Sequence, residues 1–91
     1  MNRNKLFVKN LDNAATQKQI EFMFSGFGDV NFVKYNRNKG YALVEMSTTS
    51  EAKNALVGLD GSRLMGRAMN VREIPSTIKW KILSVLGKFI F

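Results

Sequence analysis

The sequence predicts an α+β domain in which two helices cover one face of a four-stranded antiparallel sheet. Two observations predict this class. Four short segments alternate apolar and polar side chains with the period of a strand, and two others carry apolar side chains at helical spacing. Their order is strand, helix, strand, strand, helix, strand. Two helices of this length can cover only one face of the sheet, so the other face is expected to be open.

Length and composition exclude most catalytic mechanisms. The chain has 91 residues, which suits one domain and is too short for two. It has no cysteine and no histidine, which removes disulfides, the commonest zinc ligands, thiol nucleophiles and the usual general base. Most of the acidic side chains flank turns or helix starts and have no partner group that suggests acid–base catalysis. We therefore expect no enzyme, no metal site and no cofactor.

The charge balance indicates a polyanionic partner. The chain has 14 Lys and Arg against 7 Asp and Glu, a net charge of +7, which favours nucleic acid first and an anionic membrane surface second. Residues 1–5 lead into a short apolar run without a signal-peptide cleavage site. We expect an intracellular protein, in the nucleus or the cytoplasm.

The first strand, residues 6–11, alternates clearly. Leu6 and Val8 should face the core, and Phe7 and Lys9 should face outward. This places an exposed aromatic ring beside a cation.

The first helix has a start signal and a stop signal. Thr16 can cap it, and Gln19 three residues later completes a capping box. Gly26 and Gly28 should end it. The apolar stripe of this helix consists of Ile20, Met23, Phe24 and Phe27.

The second strand, residues 30–35, does not alternate perfectly. If Val33 and Tyr35 face the core, Lys34 lies on the open face. Phe32 then points outward too, and a core position for Val30 requires an irregularity between the two.

The third strand follows a short cationic turn at residues 36–39, and Gly40 suits a tight entry into it. Its core face carries Ala42, Val44 and Met46, and its open face carries Tyr41, Leu43 and Glu45. Tyr41 beside Lys39 is the chemistry of a platform on which a base stacks while a cation holds its phosphate.

The second helix and the fourth strand complete the order. Thr48 and Glu51 form a second capping box, and the apolar stripe consists of Ala52, Ala55, Leu56 and Leu59. Asp60 and Gly61 should close the helix. The fourth strand, residues 68–73, places Met69 and Val71 inward and Asn70 and Arg72 outward.

Residues 5–73 resemble an RNA recognition motif. Residues 6–11 are similar to the six-residue signature on that family's first strand, and residues 39–46 to the eight-residue signature on its third. The resemblance implies a ferredoxin-like βαββαβ sandwich that binds single-stranded RNA on the open sheet face. Residue by residue it implies that Phe7 and Tyr41 stack on bases and that Lys39 contacts a phosphate.

One position departs from the family pattern. The third aromatic position holds Leu43, which lacks the π-face that makes stacking worth about 1–3 kcal/mol per base. Some members with a leucine there, such as the one in the exon-junction complex, bind protein through the sheet. A protein-interaction module is therefore the alternative function, and a duplex-DNA-binding protein is a lesser one. The residues expected to bind RNA are Phe7, Lys9, Lys34, Lys39, Tyr41, Leu43, Asn70 and Arg72.

The resemblance implies a division of the chain into an RNA-recognition-motif domain at residues 1–74 and a C-terminal helical extension at residues 75–91. Pro75 precedes two possible caps, Ser76 and Thr77. The extension's apolar stripe consists of Ile78, Ile82, Val85, Leu86, Phe89 and Ile90. It could fold over Tyr41 and Leu43, pair with another chain or a partner protein, or lie on an anionic membrane, in that order of preference. A disordered tail is the remaining alternative. The extension is too short to cross a bilayer, which takes about 20 residues.

Overall fold

The computed structural model describes residues 4–74. The predicted C-terminal helix at 75–91 lies outside the described residues, as do residues 1–3. The elements are β1 (Lys5–Lys9), α1 (Gln17–Ser25), β2 (Val30–Asn36), β3 (Tyr41–Met46), α2 (Thr49–Leu59), β4 (Arg63–Leu64), β5 (Arg67–Ala68) and β6 (Asn70–Glu73).

The predicted fold is confirmed. β2, β3, β1 and β6 form a four-stranded sheet in that spatial order, and each neighbouring pair is antiparallel. The first strand of the chain therefore lies inside the sheet, and α1 and α2 pack together against its core face. This is the ferredoxin-like arrangement of strands and helices.

The core lies between the sheet and the helices and contains the side chains that alternation placed there. Its fully buried members are Leu6, Val8, Ile20, Phe24, Ala42, Val44, Met46, Ala52, Ala55, Met69 and Val71. Tyr35 packs against this core, and its hydroxyl donates to the carbonyl of Ala15 at 2.9 Å. The predicted inward positions on all four strands are confirmed.

Both helices begin at the predicted caps. The Gln19 N–H donates to the Thr16 hydroxyl at 3.1 Å, and the Gln19 side chain accepts from the Thr16 N–H at 2.9 Å. At α2 the Glu51 N–H donates to the Thr48 hydroxyl at 3.1 Å. The Ser47 hydroxyl donates to the Glu51 carboxylate, and this bond is the main reason that the pKa of Glu51 lies below its usual value.

The irregularity predicted in the second strand is a β-bulge. Val30 pairs with Met46 and Phe32 with Glu45, so the register shifts between Val30 and Phe32. Because of this shift Val30 packs against the core while Phe32 is 39% exposed. Strict alternation would have placed Val30 and Phe32 on the same face of the sheet. The bulge lets them point to opposite faces.

The last strand is shorter than predicted. The pairing of residues 68–73 is interrupted at Met69: β5 pairs with β4 as a separate two-stranded ribbon, and only β6 joins the main sheet. Met65 and Gly66 have φ values of 53° and 84°, the backbone that a tight hairpin turn requires. The turn reverses the chain before β5, so Arg67 lies on a ribbon beside the sheet edge.

Candidate nucleic-acid interface

The open face carries two cross-strand rows formed by the predicted site residues. In the central row Lys34 faces Leu43, Leu43 faces Phe7, and Phe7 faces Arg72. In the second row, nearer the turn between β2 and β3, Tyr41 lies between Asn36 and Lys9, and Lys9 faces Asn70. The register therefore places the seven predicted strand residues on one face, opposite the helices. Lys39 lies in the turn next to the second row.

The expected exposure of Phe7 and Leu43 is wrong. Both lie on the predicted face, but each is only 1% exposed. They form an apolar cluster with Ile74, and Tyr41 packs against it. The physical reason is the chain that follows β6: the Ile74 N–H donates to the Lys5 carbonyl at 3.0 Å, which keeps Ile74 beside β1. The sheet therefore has apolar clusters on both faces.

Tyr41 is the aromatic site residue that stays partly accessible. Its ring lies 5.3 Å from that of Phe7, with a tilt of 46° between the planes. Phe7 thus supports one side of the tyrosine ring through a tilted aromatic contact. Tyr41 is half-buried, so part of this residue remains accessible.

A polar groove of about 570 Å³ lies on one side of Tyr41. It is bounded by the loop after β1, the turn between β2 and β3, and the start of β5. Its charged lining residues are Lys9, Arg37, Lys39, Arg67 and Asp12. Asp12 already accepts a hydrogen bond from the Ala14 N–H at 2.8 Å, and four cations against one carboxylate give the groove a positive potential.

A second depression of about 440 Å³ also has Tyr41 in its lining, and its charged lining residues are Lys34 and Arg37. Tyr41 lines both spaces, and each also has cationic side chains in its lining. Such a site can accept a flat aromatic group against the tyrosine ring and anionic groups beside the neighbouring cations.

Comparison with known proteins identifies the family of this chain. Residues 6–70 match the family model of the RNA recognition motif. The chain belongs to the RNA recognition motif family. It is 32% identical to protein no-on-transient A of Drosophila melanogaster, over 81% of this chain and 11% of that protein. It is 38% identical to multiple RNA-binding domain-containing protein 1 of Kluyveromyces lactis, over 96% of this chain and 11% of that protein. The chain thus spans about a tenth of the length of these relatives.

A shorter relative and two solved structures agree with this family. The putative RNA-binding protein RbpF of Nostoc is 35% identical over 75% of this chain and 70% of that protein. The C. elegans NONO-1 homodimer superposes with a TM-score of 0.76 and 32% identity, covering 80% of this chain and 29% of that one. The solution structure of the N-terminal RNA binding domain of a hypothetical protein superposes with a TM-score of 0.72 and 31% identity. The match covers 86% of this chain and 83% of that one.

Gly40 sets the geometry of the groove in this RNA recognition motif. Its carbonyl accepts from the Leu11 N–H at 2.9 Å, which ties the turn before β3 to the loop after β1. Its φ is +72°, and a Cβ there would lie 2.7 Å from the Leu11 carbonyl oxygen. In the same turn the Lys39 N–H donates to the Asn36 side chain at 3.1 Å. These bonds hold Lys39 at the edge of the groove.

Replacing Gly40 with Ala should lower the free energy of unfolding by about 2–4 kcal/mol, because the methyl group adds a backbone clash to the strain of a positive φ. Urea denaturation measures the change. Gly61 is the matched control, since its φ is +85° and a Cβ there would meet nothing within 4 Å. The G61A variant should lose only about 1 kcal/mol. Equal losses in the two variants would contradict a role for the close approach to Leu11.

Arg67 and Asn10 are among the groove residues that the sequence did not predict. The Asn10 side chain donates to the Ala68 carbonyl at 2.8 Å and accepts from the Arg67 guanidinium. Asn10 has a φ of +65°, and asparagine is among the few residues that adopt this backbone readily. The sequence placed Asn10 inside a first strand at residues 6–11, whereas β1 ends at Lys9. Nothing in the sequence pairs it with Arg67.

The part of the chain that the structure describes holds no group of three or more carboxylate, histidine or cysteine side chains that could bind a metal ion. Neither helix between residues 4 and 74 is long and apolar enough to cross a membrane.

Proposed function

We propose that this RNA recognition motif binds single-stranded RNA around Tyr41 and the basic groove beside it. The observation that carries the proposal is that the half-buried Tyr41 lines two concave surfaces, each of which also has cationic side chains in its lining. Base stacking on such a ring does not depend on sequence, and neighbouring cations neutralise the phosphates. The names of the relatives from Kluyveromyces lactis and Nostoc, which describe RNA-binding proteins, support the same class of ligand.

Each predicted site residue has a role in this proposal. Tyr41 stacks on a base, while Lys39 and Lys9 contact phosphates from the groove side. Lys34 and Arg72 lie at the two ends of the central row and extend the cationic track across the sheet. The Asn70 side chain, on the strand next to Lys9, can hydrogen-bond to a base edge.

Phe7 and Leu43 have a different role from the one that the family pattern implies. Ile74 packs against Phe7 and Leu43, and Tyr41 packs against the cluster that these three residues form. Phe7 and Leu43 therefore hold Tyr41 in position, and they contact RNA only if Ile74 moves away. The proposed binding surface is therefore narrower than the whole sheet and is displaced toward the turn between β2 and β3. An intracellular location and a non-enzymatic role are part of this proposal.

An NMR titration of the full chain with pooled, random, short single-stranded RNA tests the proposal. The amide signals of β1, β3 and the 36–40 turn should move, and those of α1 and α2 should stay in place. Signals that stay unmoved throughout would overturn RNA binding and favour a protein-interaction module. Stronger binding to duplex DNA than to single-stranded RNA in a competition would overturn the single-strand preference.

Replacing Lys39 with Ala should weaken binding to single-stranded RNA of any sequence. Since one phosphate contact is lost, the slope of log K against log salt concentration should become shallower by about 0.7 to 1. Binding measured by fluorescence anisotropy at several salt concentrations gives this slope. Lys53, exposed on α2, is the matched control, and the K53A variant should keep the wild-type slope. An unchanged slope in K39A would exclude a phosphate contact by Lys39.

A further inference from the structure

Arg67, on β5, lines the groove beside Tyr41. Its Nη2 donates to Oδ1 of Asn10, a neutral amide, across 57 positions of sequence. None of the carboxylates between residues 4 and 74 forms an ion pair with it. Arg67 is exposed, so its guanidinium is oriented by the protein while its charge is not neutralised by these carboxylates.

Asn10 is itself fixed at this position. Its Nδ2 donates to the Ala68 carbonyl at 2.8 Å, and the next residue, Leu11, donates to the Gly40 carbonyl at 2.9 Å. Asn10 therefore links the end of β1 to β5 while its oxygen orients Arg67. The guanidinium is held by an acceptor that is itself hydrogen-bonded to β5, and this reduces the entropy that Arg67 would lose on binding a ligand.

Arg37 forms a similar arrangement from the opposite wall. Its Nη2 donates to the Ala15 carbonyl at 3.5 Å, again a neutral oxygen, and both arginines line the same groove. A guanidinium has five N–H donors. Arg37 and Arg67 therefore both have N–H donors left for a ligand. The planar guanidinium can donate two parallel hydrogen bonds to two oxygens of a phosphate group.

We propose that Arg67, positioned by Asn10, is a binding site for a phosphodiester group of the RNA strand where the strand leaves the sheet beyond Tyr41. This inference rests on the proposed function and extends it, because it continues the RNA path off the sheet between the loop after β1 and the ribbon of β4 and β5. The site adds affinity for RNA that is longer than the segment stacked on the sheet. It does not depend on base identity.

Binding of the full chain to a tetranucleotide and to an octanucleotide of single-stranded RNA tests this site. For the octanucleotide, R67Q should bind about tenfold more weakly than wild type at low salt, the size expected for one charge-assisted hydrogen-bonded contact. Its salt slope should become shallower by about 0.7. Its affinity for the tetranucleotide should stay near that of wild type. R67K, which keeps the charge but loses the fork, should fall between R67Q and wild type for the octanucleotide.

Arg63 provides the matched control. It lies on the same ribbon and also donates to a neutral acceptor, the Gly66 carbonyl at 2.9 Å, but it does not line the groove. The R63Q variant should bind both oligonucleotides like wild type. The N10G variant, which keeps the positive φ accessible and removes the amide, should weaken octanucleotide binding in the same direction as R67Q.

The outcomes separate this inference from the proposed function. If K39A weakens binding and R67Q binds the octanucleotide like wild type, the Arg67 site is overturned and RNA binding at Tyr41 stands. If the wild-type chain binds neither oligonucleotide, both proposals fail. An NMR titration of the Arg67 Nε–H signal with inorganic phosphate alone distinguishes the source of the phosphate. A shift as large as that produced by the octanucleotide at equal concentration would overturn the assignment to an RNA phosphodiester.

Discussion

Replacing Phe7 with Ala should lower the free energy of unfolding by about 3–5 kcal/mol in the absence of RNA. The ring is 1% exposed and packs with Leu43 and Ile74. Its removal leaves a cavity on the face of the sheet opposite the helices. Urea denaturation of the free protein, followed by circular dichroism, measures the loss.

The control for this variant is another phenylalanine, Phe22, which lies on α1 and is 79% exposed. Its replacement by Ala should change the stability by less than about 0.5 kcal/mol, as expected for a surface position. If F7A and F22A were equally stable, the Phe7 ring would be an accessible stacking group and not part of an apolar cluster. The comparison of F7A with F22A therefore decides whether Phe7 stabilises the folded domain or is only available to bind a ligand.

Replacing Tyr41 with Ala should weaken binding to single-stranded RNA by about 1–3 kcal/mol, the range measured for loss of one base–aromatic stack. This corresponds to an increase in Kd of roughly 5- to 150-fold. The loss arises because no other partly accessible aromatic in the described residues lines both concave surfaces of the site. Fluorescence anisotropy with a labelled oligonucleotide measures it.

Two companion variants give this result its meaning. Y41F keeps the ring and should bind within about threefold of wild type, since stacking needs the π-face and not the hydroxyl. F22A removes an aromatic from the helix side and should bind like wild type. Equal affinities of Y41A and wild type would remove Tyr41 from the proposed interface, whatever the result of the K39A experiment.

The sequence could predict which face each strand residue occupies. Alternation placed Leu6, Val8 and Val44 in the core, and the need to accommodate both Val30 and Phe32 predicted the bulge between them. These outcomes depend on the two-residue period of a strand, which is visible in a short window of sequence.

Exposure could not be predicted in the same way. Alternation showed that Phe7 and Leu43 face away from the helices, but it could not show that Ile74, more than 30 positions beyond Leu43, packs against them. The Arg67–Asn10 bond has the same character, because it joins residues 57 positions apart through a ribbon that was not predicted. Contacts of this kind depend on the path of the chain after each strand and not on any local pattern.

The placement of β1 has a consequence for how the molecule is made. β1 pairs with β3 on one side and with β6 on the other, so Leu6 meets Glu73 across the sheet. A ribosome must therefore release almost the whole domain before its earliest strand gains its second neighbour. Until then the edge of β1 has unsatisfied backbone donors and acceptors that another nascent chain could pair with. Assembly of this domain is completed by its last strand.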